Sequence, residues 1–520
     1  MAKYIKIQAD SDGDSLALID ERSEITWLAL NERVNQIIAA FKANGLVAGD
    51  TIGVFAGNCR EYFEVMAAAQ HSGVLFVPVN WHFTADELAY VLEDAGCKLL
   101  FVEEQFLKVV VDSAAENARY VHSIPRIGIR GSAPGFTDYE SWFASESVSE
   151  PLEELMGGPM FYTSGTTGRP KGVRPTGRSK STPIEVLEMT TNGMSGMLGI
   201  PRGGVTLLCG PVYHSAQWSF SFLPLMIGST VVMRHKFNAA ETLNLIDQYD
   251  VTNVHLVPTQ FRRMVDLDSA TRSAFKGSSL QCVWHGASPC SPQLKQQMIE
   301  WWGLTVGEYY GSTEGAIVTM VTAEEWLEKP GTVGKPAPTA DIKIIDDNGK
   351  QLAQGQHGQI YVRNLMGADF EYHNEPEKTK AAHLEPGVYT FGDIGYFDED
   401  GYLFLSDRKI DMIISGGVNI YPAEIEGVLA SHPAVQDVAV FGIPNDEYGE
   451  EVKAAVCLAP DHLGSDDLRF DLMTHCRDLL AGYKCPKSID FITEMPRHET
   501  GKLYKRILKD PYWEGSGRKI

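Results

Sequence analysis

The chain has 520 residues, of which 44% are hydrophobic and 22% charged, values typical of globular proteins. A single hydrophobic core rarely extends over so many residues, so we expect two or three folding units. The formal net charge of −23 disfavours a surface that binds nucleic acid or an anionic membrane, because the protein would repel such polyanions. An anionic ligand therefore requires a local positive site.

The eight cysteines are scattered and form no C-x-x-C pair, which favours a reducing compartment and disfavours a structural zinc site. The first residues, "MAKYIKIQADSDGDS", contain no apolar segment of the signal-peptide type. No run of about twenty apolar residues, the length of a membrane span, occurs in the chain. We therefore predict a cytoplasmic protein with no membrane span and no nucleic-acid partner.

Strand and helix patterns alternate along the first 290 or so residues, in two similar series. The first series comprises a helix over 26–45, a strand over 51–57, a helix over 61–73, a strand over 75–80, a helix over 84–96 and a strand over 98–104. The second comprises strands over 205–211 and 229–235, a helix over 239–250 and strands over 253–258 and 280–286. This alternation, with glycine at helix ends, is typical of βαβ units on parallel sheets.

A shorter strand-rich segment follows from about Gly334 to Arg363, and the pattern changes again near Asp407. The chain there becomes polar, then rich in glycine, and a helix is predicted after Pro422. Strands over 435–444 and 451–460 and a helix over 467–485 complete the pattern of a small α+β domain. The predicted class is α/β. It has a large N-terminal domain of two related α/β subdomains and a small β-rich subdomain, followed by a small α+β domain.

The segment Met160–Val173, "MFYTSGTTGRPKGV", places hydroxyls, glycines and cations directly after an apolar strand. Such a loop can direct several backbone N–H groups and hydroxyls at one anion, and Lys171 adds a mobile positive charge. Phosphate is therefore the expected ligand. The spacing differs from the Walker A pattern and from the dinucleotide-binding G-x-G-x-x-G pattern. A flexible linker is the alternative, but a linker does not require this ordered mixture.

The sequence "YTSGTTGRPKGV" resembles the signature loop of the adenylate-forming superfamily, which includes acyl-CoA synthetases, peptide-synthetase adenylation domains and beetle luciferases. The other family motifs follow in order: "PVYHSA" (211–216), "HGASP" (285–289), "YYGSTEG" (309–315), the segment 390–426 and "ETGKLYKR" (499–506). The resemblance covers essentially the whole chain and is strongest to the acyl-CoA synthetase and fatty-acid–CoA ligase branch. It implies an AMP-binding N-terminal domain over 1–407 and a mobile C-terminal lid over 408–520.

The resemblance also implies an ATP-dependent acid–CoA ligase that uses Mg²⁺, with coenzyme A as co-substrate. Such an enzyme joins a carboxylate to the α-phosphate of ATP, releases pyrophosphate, and then transfers the acyl group to a thiol. A carboxylate with a pKa of about 4–5 is already ionised at neutral pH, so no general base is required. The obstacle is the approach of two anions, which positioning and charge neutralisation overcome.

By resemblance, the glycine-rich loop holds the β- and γ-phosphates, through Thr163, Ser164, Gly165, Thr166, Thr167, Gly168 and Lys171. Glu314 corresponds to the Mg²⁺ carboxylate, with Thr163 beside the metal, and Thr313 to a contact of the α-phosphate. Mg²⁺ suits one carboxylate plus phosphate oxygens. The alternative for Glu314 is an ordinary solvated carboxylate.

The adenosine part of ATP is assigned in the same way. The backbone of Gly286, Ala287 and Ser288 corresponds to the adenine edge, Tyr310 to a stacking ring, and Gly311 and Ser312 to the adjoining nucleotide contacts. Asp393 and Arg408 correspond to the ribose-binding pair. The alternatives are a core aromatic for Tyr310 and a purely structural Asp–Arg pair.

In the C-terminal domain, Lys502 corresponds to the lysine that the lid carries to the transferring phosphate, whereas Lys505 and Arg506 are expected to be solvated. Ser415, Gly416 and Gly417 correspond to the lining of a narrow thiol tunnel, where the absence of a Cβ permits close passage. The lid is expected to rotate about residues 407–411. Position 410 of the hinge, commonly Asp or Lys in the family, is Ile410, and the basic segment 174–182 also departs from the family.

The acyl pocket is assigned to Trp218, Phe222, Trp284 and Tyr309, with His214 at its carbonyl end, although each aromatic alone is equally typical of a core. These residues favour an apolar acid, fatty or aromatic, over acetate or an amino acid. Two alternatives remain: transfer of the acyl group to a carrier protein or another acceptor, and a nucleotide-sensing protein with a decayed site. The sequence identifies neither the acid nor the oligomeric state, and a homodimer is compatible with it.

Overall fold

The computed structural model describes residues 3–111, 119–153, 155–163, 169–176, 182–408, 411–416, 418–445, 447–497 and 503–514, with the backbone alone at Lys3 and Arg408. Residues 3–176 contain seven α-helices and ten strands within the described ranges. The helices are α1 (Lys3–Asp12), α2 (Trp27–Ala43), α3 (Arg60–Gln70), α4 (Ala85–Asp94), α5 (Leu107–Val111), α6 (Arg119–Ser123) and α7 (Tyr139–Phe143). The strands are β1 (Leu16–Ile19), β2 (Glu24–Thr26), β3 (Thr51–Phe55), β4 (Leu75–Pro78), β5 (Cys97–Glu103), β6 (Arg126–Ile129), β7 (Thr137–Asp138), β8 (Gly158–Pro159), β9 (Phe161–Thr163) and β10 (Lys171–Pro175).

Residues 182–408 continue with eight helices and fourteen strands. The helices are α8 (Glu185–Met197), α9 (Ser215–Met226), α10 (Ala239–Gln248), α11 (Pro258–Val265), α12 (Ser269–Ala274), α13 (Pro292–Trp302), α14 (Ala323–Glu328) and α15 (Pro376–Ala382). The strands are β11 (Val205–Leu208), β12 (Thr230–Met233), β13 (Asn253–Leu256), β14 (Cys282–His285), β15 (Val306–Ser312), β16 (Ala316–Val321), β17 (Lys335–Pro336), β18 (Ala340–Ile345), β19 (Gly358–Asn364), β20 (Phe370–Tyr372), β21 (His383–Glu385), β22 (Val388–Tyr389), β23 (Asp393–Phe397) and β24 (Leu403–Arg408).

The C-terminal part of the described chain has three helices and five strands. They are α16 (Pro422–Ala430), α17 (Asp466–Leu479), α18 (Lys505–Trp513), β25 (Ile413–Ser415), β26 (Val418–Ile420), β27 (Val435–Asn445), β28 (Gly449–Leu458) and β29 (Ser488–Phe491).

Two sheets with parallel strands form the larger part of the molecule, as the alternating pattern predicts. The first has six strands in the order β7-β6-β5-β3-β4-β8, and all its pairings are parallel. Helix α2 packs an apolar face that includes Trp27, Leu30, Val34 and Phe41 into the adjoining core. Thr26 caps this helix by accepting a hydrogen bond from the backbone N–H of Ala29, as a β-branched hydroxyl at an N-cap can do.

The second sheet has nine strands in the order β17-β16-β15-β14-β13-β11-β12-β1-β2. Its central pairings are parallel, and antiparallel strands close both edges. Strand β1 comes from the start of the chain and pairs in parallel with β12. The pattern of local sequence did not predict this long-range pairing.

The β-rich subdomain is an antiparallel sheet in the order β21-β22-β19-β23-β24, with β18 paired to β19. A separate three-stranded sheet, β20-β10-β9, joins the two strands around the glycine-rich loop to Phe370–Tyr372. The C-terminal strands form a further sheet with α16 and α17 packed in one apolar cluster, which confirms the predicted α+β arrangement. The domain division at 407/408 stays a prediction, although β24 belongs to one sheet and β25 to the next.

Strands of the second sheet direct several motifs to one region. Strands β14 and β15 end at "HGAS" and at "YYGSTEG", and β11 is followed by the segment that contains His214. Open sheets with parallel strands bind ligands outside the carboxyl ends of their strands, because helix and loop termini converge there. This edge is therefore the place where the candidate site lies.

Candidate active site

Thr163 and Lys171 stand opposite each other at the ends of β9 and β10, as directly paired residues of an antiparallel hairpin. The predicted phosphate-binding residues 164–168 lie between them and outside the described residues. The hairpin nevertheless places the first hydroxyl and the lysine of the motif side by side. This juxtaposition agrees with a shared anionic ligand.

A tyrosine that sequence reasoning missed links Lys171 to Glu314. The Nζ atom of Lys171 lies 4.8 Å from the ring centroid of Tyr372, within the range of a cation–π contact. The hydroxyl of Tyr372 donates a hydrogen bond of 3.0 Å to Oε1 of Glu314. Tyr372 lies on β20, next to β10, and no motif distinguishes it in the sequence.

The partial burial of Lys171 and of Tyr372 shifts the pKa of each side chain. Burial, followed by the nearby Lys378, lowers the pKa of Lys171, whereas Glu314 opposes this shift. Burial and then Glu314 raise the pKa of the Tyr372 hydroxyl, so the tyrosine stays a neutral hydrogen-bond donor. A second anion close to Lys171 therefore favours its charged form.

The turn between β15 and β16 is compact. The Oγ of Ser312 accepts hydrogen bonds of 3.1 Å from the backbone N–H groups of Glu314 and Gly315. A Cβ on Gly311 would lie 1.9 Å from the carbonyl oxygen of Ala316, and one on Gly315 would lie 2.4 Å from the Phe391 ring. Glycine is required at both positions by this close approach of neighbouring groups.

Thr313 and the segment around His214 also meet. The hydroxyls of Thr313 and Ser215 are 2.9 Å apart, within hydrogen-bonding distance. His214 is the residue before α9, and its ring centroid lies 4.3 Å from that of Tyr213. Ser215 was not predicted as a site residue, although it stands within the quoted motif "PVYHSA". The structure thus brings Thr313, the predicted α-phosphate contact, next to the segment with His214, the predicted carbonyl end of the acyl pocket.

The predicted adenine edge follows β14 directly. Gly286 is buried, and a Cβ there would lie 2.8 Å from the ring of Tyr309. Ala287 has a φ of 67°, a left-handed conformation that costs a non-glycine residue about 1–2 kcal/mol. Such strain persists only where the surrounding structure imposes it, which is frequent at binding sites.

The predicted ribose site contains a close hydrogen bond. The hydroxyl of Tyr310 donates to Oδ2 of Asp393 at 2.6 Å. Asp393 and Arg408 are directly paired residues of β23 and β24, although the Arg408 side chain lies outside the described atoms. The structure therefore brings together the three positions that the motifs assign to the adenosine.

Replacing Tyr310 by phenylalanine is expected to raise KM for ATP about fivefold to tenfold with little change in kcat, because one hydrogen bond to a carboxylate is lost. Initial rates at varied ATP measure this effect. Tyr402→Phe is the control, since Tyr402 is also a buried tyrosine and precedes β24. An unchanged KM for ATP in Tyr310→Phe would contradict the assignment of Tyr310 and Asp393 to the nucleotide.

The four predicted acyl-pocket aromatics are all buried, but they divide between two cores. Trp218 and Phe222 stack on each other at 5.3 Å in the core that α2 and α3 also enter. Trp284 and Tyr309 belong to a second cluster together with Phe220. The structure therefore places these four residues in two separate pairs. Their role as walls of one acyl pocket stays a prediction.

Two buried polar residues near Tyr309 were missed by the sequence analysis. His255 on β13 contacts the Tyr309 hydroxyl through Nε2 and Gln217 through Nδ1, each at 2.9 Å. Burial lowers the pKa of His255 to about 3, so the ring is neutral at physiological pH. A histidine within a short apolar strand gave no signal that separated it from a core residue.

The remaining predicted site residues belong to the C-terminal domain, and the structure describes Ser415 and Gly416 among them. Gly416 has a φ of 59° and donates its backbone N–H to the carbonyl of Tyr448 at 2.8 Å. Ser415, the residue before it, pairs with Val418 between strands β25 and β26. Gly417, Ile410 and Lys502 lie outside the described residues, as do residues 177–181 of the basic segment. The predictions made for them stay predictions.

Lys505 differs from its expected position in solvent. Only 13% of its side chain is exposed, and its Nζ lies 2.9 Å from Oε1 of Glu426. Burial lowers the pKa of Lys505, but Glu426, Asp407 and Asp411 raise it by a larger amount overall. Arg506, with 70% of its side chain exposed, is solvated as predicted.

Two contacts join the C-terminal domain to the β-rich subdomain. Asp407 accepts a hydrogen bond of 2.9 Å from the backbone N–H of Ala423 in the first turn of α16, where an anion is favoured. Tyr421, which precedes α16, stacks on His357 at 5.6 Å between ring centroids. These contacts lie beside the predicted hinge.

Comparison with known proteins places these motifs in one family. The model of the AMP-binding enzyme family matches residues 5–367, and that of the AMP-binding enzyme C-terminal domain matches residues 424–502. The chain belongs to the AMP-binding enzyme family. This AMP-binding enzyme is a member of the adenylate-forming superfamily, as its motifs predicted.

Characterised relatives align along the whole length of this AMP-binding enzyme. A fatty acid–[acyl-carrier-protein] ligase, ScoC of Streptomyces coeruleorubidus, is 32% identical over 100% of the chain and 98% of the relative. The 2-succinylbenzoate–CoA ligase of Bacillus licheniformis is 30% identical over 97% of the chain and 98% of the relative. These relatives confirm the prediction of a ligase of the acyl-CoA synthetase type.

The fold is confirmed by solved structures. The o-succinylbenzoate CoA synthetase (MenE) of Bacillus subtilis, in complex with the acyl-adenylate intermediate OSB-AMP, superposes with a TM-score of 0.80 at 27% identity. The superposition covers 98% of each chain. The AMP-binding enzyme thus has the predicted mixed α/β architecture with a smaller C-terminal domain.

None of the helices among the described residues is long and apolar enough to cross a membrane. No group of three or more His, Cys, Asp or Glu side chains in the described part is arranged to hold a metal ion. A magnesium site built from one protein carboxylate and phosphate oxygens does not require such a group.

Proposed function

We propose that this AMP-binding enzyme is an ATP-dependent ligase that joins an apolar carboxylic acid, aromatic or fatty, to coenzyme A. The observation that carries the proposal is the group Lys171–Tyr372–Glu314, which joins the glycine-rich loop to the "STEG" turn. A cation and a carboxylate from distant segments are thereby held at one place. ATP with its metal ion requires both.

The first half-reaction follows from this arrangement. A carboxylate oxygen of the acid attacks the α-phosphorus, and the bond to the oxygen that bridges to the β-phosphate breaks, which releases pyrophosphate. Lys171 and Thr163 would bind the leaving phosphates, and Thr313 would contact the α-phosphate. Tyr310 and Asp393 would orient the adenosine, so that the reaction proceeds by positioning and charge neutralisation.

The residues present fit a magnesium ion. Tyr372 holds Oε1 of Glu314 at 3.0 Å, which orients the carboxylate and leaves oxygen lone pairs for a cation. One carboxylate together with phosphate oxygens is a usual set of ligands for Mg²⁺. When bound, the ion would neutralise phosphate charge.

The second half-reaction transfers the acyl group. The thiol gives up its proton to water, its sulfur attacks the acyl carbonyl, the bond between the carbonyl carbon and the phosphate oxygen breaks, and AMP leaves. We propose that Ser415, Gly416 and Gly417 border the path of the thiol and that Lys502 acts only in the first step. Rotation of the C-terminal domain about residues 407–411 would exchange the two, since a few hinge residues can absorb such a motion.

The acid is proposed from the chain's own aromatics and from its relatives. Trp284 and Tyr309 lie close to the segment between β14 and α13, residues 286–291, which carries the predicted adenine edge and is called the nucleotide loop below. The relatives named above act on 2-succinylbenzoate and on fatty acids. Transfer to a carrier protein is the second candidate, because the relative at 32% identity is named for that acceptor. The predicted cytoplasmic location accompanies this proposal, since ATP and coenzyme A are its co-substrates.

Pyrophosphate release with a panel of acids tests the proposed reaction. Purified protein with ATP and Mg²⁺ is expected to use benzoate-type or medium-chain acids at least about tenfold faster than acetate, because apolar pockets discriminate by buried surface. Sustained AMP release is expected with coenzyme A only. Release with a phosphopantetheinylated carrier protein instead would favour the second candidate, and no ATP consumption with any acid would contradict both.

A further inference from the structure

A buried ion pair lies beneath the predicted nucleotide loop and takes no part in the reaction described above. The Nζ of Lys295 is 2.6 Å from Oε2 of Glu308, and the two side chains are 0% and 9% exposed. The same Nζ lies 4.9 Å from the ring centroid of Trp326. Lys295 is therefore surrounded by protein.

His285 completes the group. Its Nε2 lies 3.6 Å from Oε2 of Glu308, and its side chain is fully buried. Neither ring nitrogen has a hydrogen-bond partner within the described part of the chain. Burial, followed by Lys295 and His255, lowers the pKa of His285, so the ring is neutral.

His285, Glu308 and Lys295 lie on the three elements around the nucleotide loop, which are β14, β15 and α13. His285 and Glu308 are directly paired residues of β14 and β15. The residue after His285 is Gly286, and the residues after Glu308 are Tyr309 and Tyr310. Lys295 belongs to the start of α13, where the loop ends. The group thus ties both ends of the loop to the strand that carries the stacking tyrosine.

Stability does not readily account for this pair. The cost of removing two charges from water is comparable with their attraction, and replacement of such a pair by apolar residues is often neutral or stabilising. A charged hydrogen bond does, however, fix distance and direction more sharply than apolar contacts do. The loop that it supports contains the strained Ala287 and the tight contact between Gly286 and Tyr309.

We propose that Lys295, Glu308 and His285 are positioning residues that hold the backbone of Gly286–Ser288 at the spacing from Tyr310 that adenine requires. None of the three touches the nucleotide in this proposal, and they act through the loop. The inference rests on the proposed function, because it assumes that the loop binds adenine. It adds two determinants of nucleotide affinity, Lys295 and Glu308, that lie outside the recognised motifs, next to His285 of the "HGASP" motif.

The double replacement Lys295→Met/Glu308→Leu tests the proposal, since it removes both charges and approximately conserves volume. Isothermal titration with AMP is expected to show a Kd about tenfold higher than in the wild type, the size of effect typical for residues that act through a neighbour. KM for ATP should rise by the same factor, and KM for the acid should change less than about twofold. The melting temperature is expected to stay the same or rise.

Two further variants separate positioning from general stability. Met298→Ala removes a fully buried side chain from the same helix, so it should lower the melting temperature and leave the Kd for AMP unchanged. Glu308→Gln keeps the shape of the side chain and is expected to raise the Kd about threefold; it decides the question if the double variant does not fold. Wild-type Kd for AMP in a folded double variant, or in Glu308→Gln, would overturn the proposal.

The wild-type titration distinguishes the two levels of inference. If the wild-type protein binds neither AMP nor ATP, the proposed function fails, and this inference fails with it. If the wild type binds AMP and the folded variants bind it equally well, only the positioning role is contradicted.

Discussion

Lys502→Ala is expected to lower the rate of acyl-adenylate formation by about a hundredfold or more, because one cation that neutralises developing phosphate charge is lost. Conversion of a preformed acyl-adenylate into thioester should stay within about twofold of the wild-type rate, since that step does not require the lysine. Pyrophosphate release measures the first step. Synthetic acyl-adenylate mixed with coenzyme A measures the second.

The described residues that flank position 502 contact other residues of the C-terminal domain. Arg497 and Leu503 pair as an antiparallel bridge, and the Arg497 guanidinium makes two hydrogen bonds of 2.7 Å to Asp437. Arg497 and Leu503, which flank the segment that contains Lys502, are thus held within the C-terminal domain.

Arg506→Ala is the matched control for Lys502→Ala. It removes a positive charge four positions along the chain, from a side chain that is 70% exposed and lies 3.6 Å from the carboxylate of Asp510. Exposed pairs of this kind contribute little, so both half-reactions should proceed at wild-type rates. Adenylation by Lys502→Ala at a rate near that of the wild type would show that the lysine has no role in the first step.

Glu314→Gln is expected to lower kcat/KM for ATP by about a hundredfold to a thousandfold, because the only charge proposed to hold Mg²⁺ on the protein is removed. Glutamine keeps the shape of the side chain, and its carbonyl oxygen can still accept the hydrogen bond from Tyr372. The loss therefore reports on charge and not on packing. The concentration of Mg²⁺ that gives half-maximal activity should increase in parallel.

Tyr372→Phe separates orientation of the carboxylate from its charge. It removes the hydrogen bond to Glu314 but keeps the aromatic ring that contacts Lys171. A decrease of only about tenfold is expected, which is the lower limit of the usual cost of one hydrogen bond to a charged group. If Glu314→Gln retained wild-type activity and an unchanged Mg²⁺ requirement, the metal-binding role of Glu314 would be wrong.

The motifs predicted more of the site than the composition or the periodicity did. Gly286, Tyr310, Glu314 and Asp393 stand within short segments whose residue types leave few chemical roles, and the structure brings them to one edge of the second sheet. Tyr372 and Ser215 were missed because their importance arises from contacts with distant segments. The burial of Lys505 was missed for the same reason, since Glu426 is far from it in the sequence.

Local sequence is sufficient to predict two α/β subdomains and a glycine-rich anion loop, and the resemblance of its motifs predicts the adenylate-forming family. Each of these properties depends on residues close together in the sequence, where hydrophobic period, turn chemistry and spacing act directly. The addition of β1 to the second sheet, the contact of Lys171 with Tyr372 and the Lys295–Glu308 pair depend on long-range packing. Such contacts form only when separate elements bury their apolar faces against one another, so no local pattern encodes them.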